Sequence, residues 1–390
     1  MSNQATEYKV FARSYRPRQF KDLVGQEYLV ETLQNAIATN KIAHAYLLTG
    51  IRGVGKTTTA RIIAMALNCS GENNDQTGPQ KEPCLKCPSC QSILNDNHPD
   101  VIEMDAASRT GVDDVREIIN NASYTPSMAR YKVYIIDEVH MLSNNAFNAL
   151  LKTLEEPPSH TKFIFATTEI RKIPLTILSR CQRFDLKRVT NEQLSGLLKK
   201  ICEKENIKFE ENALDTLCNL AGGSVRDSLS LLDQMRLVTD NNLTVEAIRN
   251  TLGYSDLENC FSLYSEITSG NVEQAIASLG QMFHAGAEVK NILNDLLEIT
   301  YLISKAIALK DKFSEVKVSS SIETKIKELA AQLTIGQLAP IWQMLLKAAG
   351  EINLSPNQFQ ALEMAIIRIC HLAPQANLNR VIAEVKKKAS

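Results

Sequence analysis

The segment Gly50-Ile51-Arg52-Gly53-Val54-Gly55-Lys56-Thr57 has the spacing of a P-loop. Glycines in such a loop let backbone N–H groups close around phosphate oxygens, and a helix that starts at its end adds a favourable dipole. Lys56 is set to reach the β and γ phosphates of a nucleotide, and the Thr57 hydroxyl to hold Mg²⁺. A glycine-rich turn between a strand and a helix is the plainer reading. The apolar run before it (Ala45–Thr49) and the helical run after it (Thr58–Leu67) supply the context that favours the phosphate site. Downstream, Val133-Tyr134-Ile135-Ile136 runs into Asp137-Glu138. An apolar strand ending in two carboxylates brings Asp137 to the metal. Glu138 is then left to orient or deprotonate a water, which hydrolysis requires and mere binding does not. A third run, Phe163-Ile164-Phe165-Ala166, ends in Thr167-Thr168. Hydroxyls there can simply terminate a strand, but in a P-loop sheet this is the place of a γ-phosphate sensor. Thr168 is the expected sensor, with Thr167 its neighbour.

A second chemistry lies in Cys84-x2-Cys87-x2-Cys90 with Cys69 fifteen positions before Cys84. Short spacing lets three thiolates converge on one Zn²⁺, and the fourth closes a tetrahedral site. Pro83 and Pro88 suit a rigid knuckle. The alternatives are an iron–sulfur site and free thiols, and nothing else in the chain suggests electron transfer. A complete ligand set has no open position, so the zinc is read as structural. His98 is a spare candidate ligand, read rather as a loop histidine.

The elements that must position these groups follow from hydrophobic pattern. Residues 1 to about 185 alternate short apolar, β-branched runs with helical patterns, as in a parallel sheet with helices on both faces. The runs are Ala45–Thr49, Val101–Met104, Val133–Ile136 and Phe163–Ala166. Between Ser70 and Pro83 the composition turns to Gly, Asn, Asp, Gln, Pro and Lys, which marks an insertion into that α/β core. After Arg183 the strand signal fades. Residues 190–250 read as short helices, with Thr190 and Gln193 as a capping box. From Leu257 the pattern is helical: Leu257, Phe261, Tyr264 and Ile267; then Ile292, Leu293, Leu296, Leu297 and Ile299; then Ile341, Met344, Leu345 and Ala348. The expected domains are 1–185 with a zinc-binding insertion at about 69–90, a helical lid at 186–250, an all-α collar at 251–375 and a basic tail at 376–390. The collar carries more apolar helical positions than one small bundle need bury, so it is expected to self-associate, with Trp342 at least partly buried.

At 390 residues the chain exceeds what one core usually serves. With 44 % hydrophobic and 22 % charged residues it has the composition of a globular protein. A net charge of −1 advertises no global field for nucleic acid, so any DNA contact must be local. No apolar run approaches the ~20 residues that span a bilayer, and the N-terminal stretch lacks the apolar core of a secretory signal. Nine cysteines, an odd number in a chain of this size, argue for a reducing compartment. A cytoplasmic location with no membrane partner is expected.

Taken together these residues resemble the gamma/tau subunit family of bacterial DNA polymerase III, the AAA+ ATPase of the sliding-clamp loader. The resemblance covers residues 7–245 through Tyr15-Arg16-Pro17, Val24-Gly25-Gln26, His44-Ala45-Tyr46, Gly50–Thr57, Asp105–Thr110, Asp137–Leu142, Phe147–Pro158 and Ser179-Arg180-Cys181. The stretch Asn148–Pro158 is specific to clamp loaders and their close kin, and the cysteine cluster is similar to the zinc module of gamma/tau and delta-prime subunits. Delta-prime lacks a working P-loop, whereas this chain keeps one. The family implies an α/β P-loop AAA+ module, a helical lid and a collar, with ATP, Mg²⁺ and structural Zn²⁺ as cofactors. It implies that Arg180 is an arginine finger offered to the ATP of a neighbouring subunit. Arg226, in Gly222-Gly223-Ser224-Val225-Arg226-Asp227, is by the same resemblance a second sensor of the chain's own γ-phosphate. Arg109, Thr110 and Arg116 sit where such subunits track the backbone of primed duplex. The implied partners are delta, delta-prime, further copies of the chain, the sliding clamp and primer-template DNA. The implied reaction is ATP hydrolysis, with no polymerase chemistry in this chain. A motor that migrates DNA junctions would end in a winged helix, where 257–372 shows only amphipathic helices. A scaffold that binds ATP without turning it over is disfavoured by Lys56, Glu138 and Arg180.

Overall fold

The computed structural model describes residues 10–73, 78–108, 111–252, 257–310 and 320–372. Arg109, Thr110 and the basic tail 376–390 lie outside the described residues. The chain divides into two compact units, 1–245 and 246–390.

The first unit is built on a five-stranded parallel sheet. Its strands are β1 (Ala45–Thr49), β2 (Val101–Asp105), β3 (Lys132–Asp137), β4 (Thr161–Thr167) and β5 (Gln182–Asp185), in the spatial order β2-β3-β4-β1-β5. Residues of β1 and β4 are buried throughout, as a central position in a parallel sheet demands. The period of two then sends side chains to opposite faces. Tyr46, Leu48, Val133, Ile135, Ile164 and Ala166 pack with the helices Glu27–Ala38, Lys56–Asn68 and Pro88–Leu94. Ala45, Leu47, Tyr134, Ile136, Phe163 and Phe165 pack with the helices Val112–Ala122 and Asn144–Glu155. On that second face Tyr134, Phe163 and Phe165 stack in a row, with centroids 5.5 and 5.9 Å apart.

Register decides where chemistry can occur. Thr49 pairs with both Thr167 and Asp185, and Ile136 with Phe165, so the carboxyl ends of β1, β3, β4 and β5 share one edge. Ligands of open parallel sheets bind outside that edge. The strand β5 follows Arg180 and lies beyond the apolar runs of the sequence: in Gln182-Arg183-Phe184-Asp185 only Phe184 is buried, as befits an edge strand.

Three helices, Asn191–Glu205, Glu211–Ala221 and Val225–Val238, follow the sheet. The first begins with the expected capping box of Thr190 and Gln193. The N-terminal segment is tied to these helices. Phe11 is buried, its N–H donates to Asp233 Oδ2 (3.3 Å), and the Arg236 guanidinium lies 4.2 Å above its ring. Tyr15 donates to Glu205 (2.5 Å), while the next residue, Arg16, donates from Nε to Thr58 Oγ1 in the helix after the P-loop (2.9 Å).

The second unit is helical in its described residues: most of Val245–Leu252, then Leu257–Ser269, Val272–His284, Val289–Leu309, Ser320–Gln332, Ile335–Leu354 and a helix over 358–372. Its core gathers the three apolar runs read from the sequence, among them Phe261, Tyr264, Ile292, Leu296, Ile341 and Leu345. Trp342 is half-buried. Among the described residues no helix is long and apolar enough to cross a membrane.

Candidate functional site

The P-loop leaves the carboxyl end of β1 and turns into the helix Lys56–Asn68. Gly53 and Gly55 have φ of +76° and +107°, which side chains disfavour, so glycine is needed at both. Lys56 is 5 % exposed, and its ammonium donates to the carbonyls of Gly50 and Ile51, each at 3.0 Å. Burial pulls its pKa below the ordinary lysine value, against the opposing pull of the Glu138 and Asp137 carboxylates. One residue on, Thr57 Oγ1 donates to Asp137 Oδ2 at 2.5 Å. That bond joins the start of the P-loop helix to the end of β3 and sets a hydroxyl beside a carboxylate oxygen, a hard-oxygen pair that suits Mg²⁺.

Immediately after Asp137 the backbone turns left-handed at Glu138 (φ +46°, ψ +44°) and enters a short 3-10 turn, Val139–Met141. A left-handed non-glycine residue is costly and is a mark of functional sites. The turn swings Glu138 toward the end of β4, where its Oε2 accepts from Thr168 Oγ1 (3.0 Å) and Thr168 N (3.2 Å). His140 Nδ1 lies 3.0 Å from Thr167 Oγ1 and 3.4 Å from Glu138 Oε2, and its Nε2 lies 3.4 Å from Glu169 Oε1. The buried imidazole thus stands between two carboxylates and a threonine hydroxyl.

Ser224 and Arg226, at the start of the helix Val225–Val238, meet the loop from the other side. Arg226 N donates to Gly53 O (3.1 Å). Ser224 caps the helix Val225–Val238 by accepting from Asp227 N (3.2 Å), and its hydroxyl faces Gly53 so closely that a Cβ there would meet Oγ at 2.1 Å. Lys56, Thr57, Asp137, Glu138, Thr168 and the backbone of Arg226 are therefore gathered at one edge of the sheet.

Arg180 is not among them. It lies two residues before β5, whose first residue pairs near the start of β1, so it sits at the opposite, amino-terminal edge of the sheet. The length of β1, roughly 13 Å at 3.3 Å per residue, separates that edge from the P-loop. Arg180 Nη2 pairs with Glu155 Oε1 (2.5 Å), and Nη1 donates to Thr176 O (2.7 Å) and Ser179 Oγ (3.3 Å).

The four cysteines converge: the sulfur atoms of Cys69, Cys84, Cys87 and Cys90 lie within 4.8 Å of one another. A tetrahedral zinc with Zn–S of about 2.3 Å requires sulfur–sulfur separations of about 3.8 Å, so the set fits that ion. Backbone amides already serve the sulfurs as they would thiolates. Cys69 Sγ accepts from Gly71 and Cys84, Cys84 Sγ from Lys86 and Cys87, and Cys87 Sγ from Cys90, at 3.3–3.5 Å. Cys69 directly follows the P-loop helix, and Pro88 opens the short helix that Cys87 caps. Glu82 and Pro83 anchor the insertion to Phe20, Gln34 and Gln19. His98 stands apart, its Nδ1 accepting from Asp100 N (3.0 Å).

Sequence reasoning missed His140, Glu169, Ser224 and Glu155. For His140 the signal was its place two residues after Glu138, but only the left-handed turn brings it back against β4. Ser224 had a cap's residue type and position. Glu155 had no signal apart from the specific stretch that contains it.

Three family models match the chain: "DNA polymerase III, delta subunit" over residues 25–190, "DNA polymerase III clamp loader subunit, ATPase lid domain" over 193–236, and "DNA polymerase III subunits gamma and tau domain III" over 243–384. The chain is 40 % identical over 361 residues to DNA polymerase III subunit gamma of Buchnera aphidicola subsp. Schizaphis graminum, covering 93 % of this chain and 98 % of that one. It is 40 % identical over 385 residues to subunit tau of Bacillus subtilis, covering 97 % of this chain and 67 % of that one. To subunit tau of Escherichia coli it is 39 % identical over 371 residues, covering 95 % of this chain and 56 % of that one. The chain thus spans nearly the whole length of a gamma relative and 56 to 67 % of these two tau relatives.

Proposed function

As the chain belongs to the gamma and tau subunit family of DNA polymerase III, we propose that it is the ATP-hydrolysing motor of a loader that opens a ring-shaped sliding clamp and places it on primed DNA. The observation that carries the ATPase reading is the 2.5 Å bond from Thr57 to Asp137 with the Glu138 carboxylate on the adjoining residue. In this reading Lys56 and the amides of Gly50–Thr57 bind the phosphates. Thr57 and Asp137 hold Mg²⁺, which supplies charge neutralisation on the phosphate oxygens. Glu138 orients and deprotonates the attacking water, and Thr168 and Arg226 read the γ-phosphate. Thr168 already bonds Glu138, so the sensor and the base are positioned by one another.

Arg180 serves the ATP of a neighbouring copy rather than its own. Its place at the far edge of the sheet supports this, since its guanidinium cannot cross the length of β1 to the chain's own P-loop. Residues 1–185 act as the ATPase domain, 186–250 as the lid and 251–375 as the collar that joins it to delta, delta-prime and further copies. Zinc at Cys69, Cys84, Cys87 and Cys90 cross-links the insertion to the end of the P-loop helix and takes no part in hydrolysis. ATP binding assembles the state competent for clamp and DNA, and hydrolysis releases it.

The test is hydrolysis by the reconstituted assembly with and without clamp and primed DNA. Stimulation by the two together, lost in Lys56→Ala, supports the function. A rate indifferent to clamp and DNA contradicts it.

A further inference from the structure

We propose that Glu155 is a positioning residue for Arg180, holding the guanidinium in the orientation it presents to a neighbouring copy; this rests on the reading of Arg180 as a finger acting in trans. Glu155 is the last residue of the helix Asn144–Glu155, and Arg180 follows the short helix Leu175–Leu178. The two are distant in sequence and meet at the amino-terminal edge of the sheet, where the ion pair of Nη2 with Glu155 Oε1 is 2.5 Å long. The other terminal nitrogen, Nη1, is taken by Thr176 O and Ser179 Oγ, and the Arg180 backbone amide donates to Ile177 O (3.0 Å). Both ends of the planar fork are therefore fixed, one by a neutral carbonyl and hydroxyl on its own turn, the other by a charge from a different helix.

The side chains of the pair are 31 % and 51 % exposed. An ion pair this open adds little to stability, so its value lies in geometry. An arginine free in solvent samples many rotamers, and ordering it at the moment of phosphoryl transfer is an entropic cost that prior anchoring removes. The carboxylate grips a single nitrogen and is itself half-solvated, so an anionic phosphate can compete for the remaining N–H groups. Glu155 never touches nucleotide in this scheme; it acts through Arg180 alone.

The experiment uses the complete assembly with its partner subunits, clamp and primed DNA. Glu155→Ala should lower kcat for stimulated hydrolysis roughly 10- to 100-fold, a share of the ~10³-fold or more that a finger contributes, with KM for ATP and nucleotide affinity unchanged. Glu155→Gln keeps an oxygen that accepts from Nη2 and should recover part of the rate. Combined with Arg180→Ala, Glu155→Ala should cost nothing further, which a merely structural role would not produce. A Glu155→Ala assembly with wild-type kcat, or one whose loss adds in full to that of Arg180→Ala, overturns the positioning role. If Arg180→Ala itself hydrolyses normally, the finger reading fails first, and the two failures are thus distinguishable.

Discussion

Replacing Gly53 by alanine probes the contact between P-loop and lid. The added Cβ would meet Ser224 Oγ at 2.1 Å, Arg226 Cβ at 3.1 Å and Ser224 Cβ at 3.3 Å, at a φ of +76°. The left-handed backbone alone costs an L side chain about 1–2 kcal/mol, and forcing a methyl into occupied space about 1–3 kcal/mol. Should the lid move away instead, the Arg226 N to Gly53 O bond is lost, a cost of about 0.5–1.5 kcal/mol. Gly53→Ala should therefore destabilise the first unit by roughly 2–4 kcal/mol, read by urea denaturation followed in far-ultraviolet circular dichroism. Ser224→Gly alone should cost only a few tenths of a kcal/mol as a replaced N-cap. It also removes both Ser224 atoms from the clash, so the double variant should regain about 1–3 kcal/mol relative to Gly53→Ala. Effects that simply add, within about 0.5 kcal/mol, would refute the docking of Ser224 on the loop.

Purified protein should carry one equivalent of zinc, measured by atomic absorption, and Cys87→Ser should lose most of it and lower the melting temperature while leaving basal hydrolysis per folded molecule intact; iron in place of zinc would contradict the assignment. Asp100 accepts amide protons from Ser127, Met128 and Ala129 at 2.7–2.9 Å, and although burial opposes its charge these bonds hold its pKa below the usual aspartate value. Its contribution is therefore complete above the unfolded pKa of ~3.9 and disappears as pH falls through the lower folded value. Asp100→Asn should accordingly cost about 1–3 kcal/mol at pH 7, and denaturation curves of the two proteins should converge only below about pH 4.

Much of the candidate site was legible because its parts are local. The apolar run Ala45–Thr49 coincides with β1, and the runs Val101–Met104, Val133–Ile136 and Phe163–Ala166 differ from β2, β3 and β4 by one or two residues at their ends. Apolar continuity marks a strand buried on both faces, and a glycine loop before a helix carries its own signature. What remained hidden depends on contacts distant in sequence. Strand β5 is held by pairing with β1 rather than by its own hydrophobicity. His140 reaches Thr167 and Glu169 only through the left-handed turn at Glu138. The pairing of Glu155 with Arg180 spans two helices that no spacing rule connects. The insertion was legible as a cysteine cluster, but its anchorage through Glu82 to Phe20 and Gln34 was not.

The proposed hydrolysis depends most on a site completed by two copies of the chain, and mixing tests this directly. In the proposed reaction Lys56→Ala removes the ammonium that binds phosphate, and Arg180→Ala removes the finger while sparing the chain's own loop. Assemblies of either variant alone should be inactive under clamp and DNA stimulation, the first for want of ATP binding and the second with nucleotide affinity nearly intact. Mixed assemblies should recover hydrolysis at those interfaces where the intact P-loop of an Arg180→Ala chain meets the intact Arg180 of a Lys56→Ala chain. Wild-type hydrolysis by Arg180→Ala chains alone, or no recovery on mixing, would contradict the shared site.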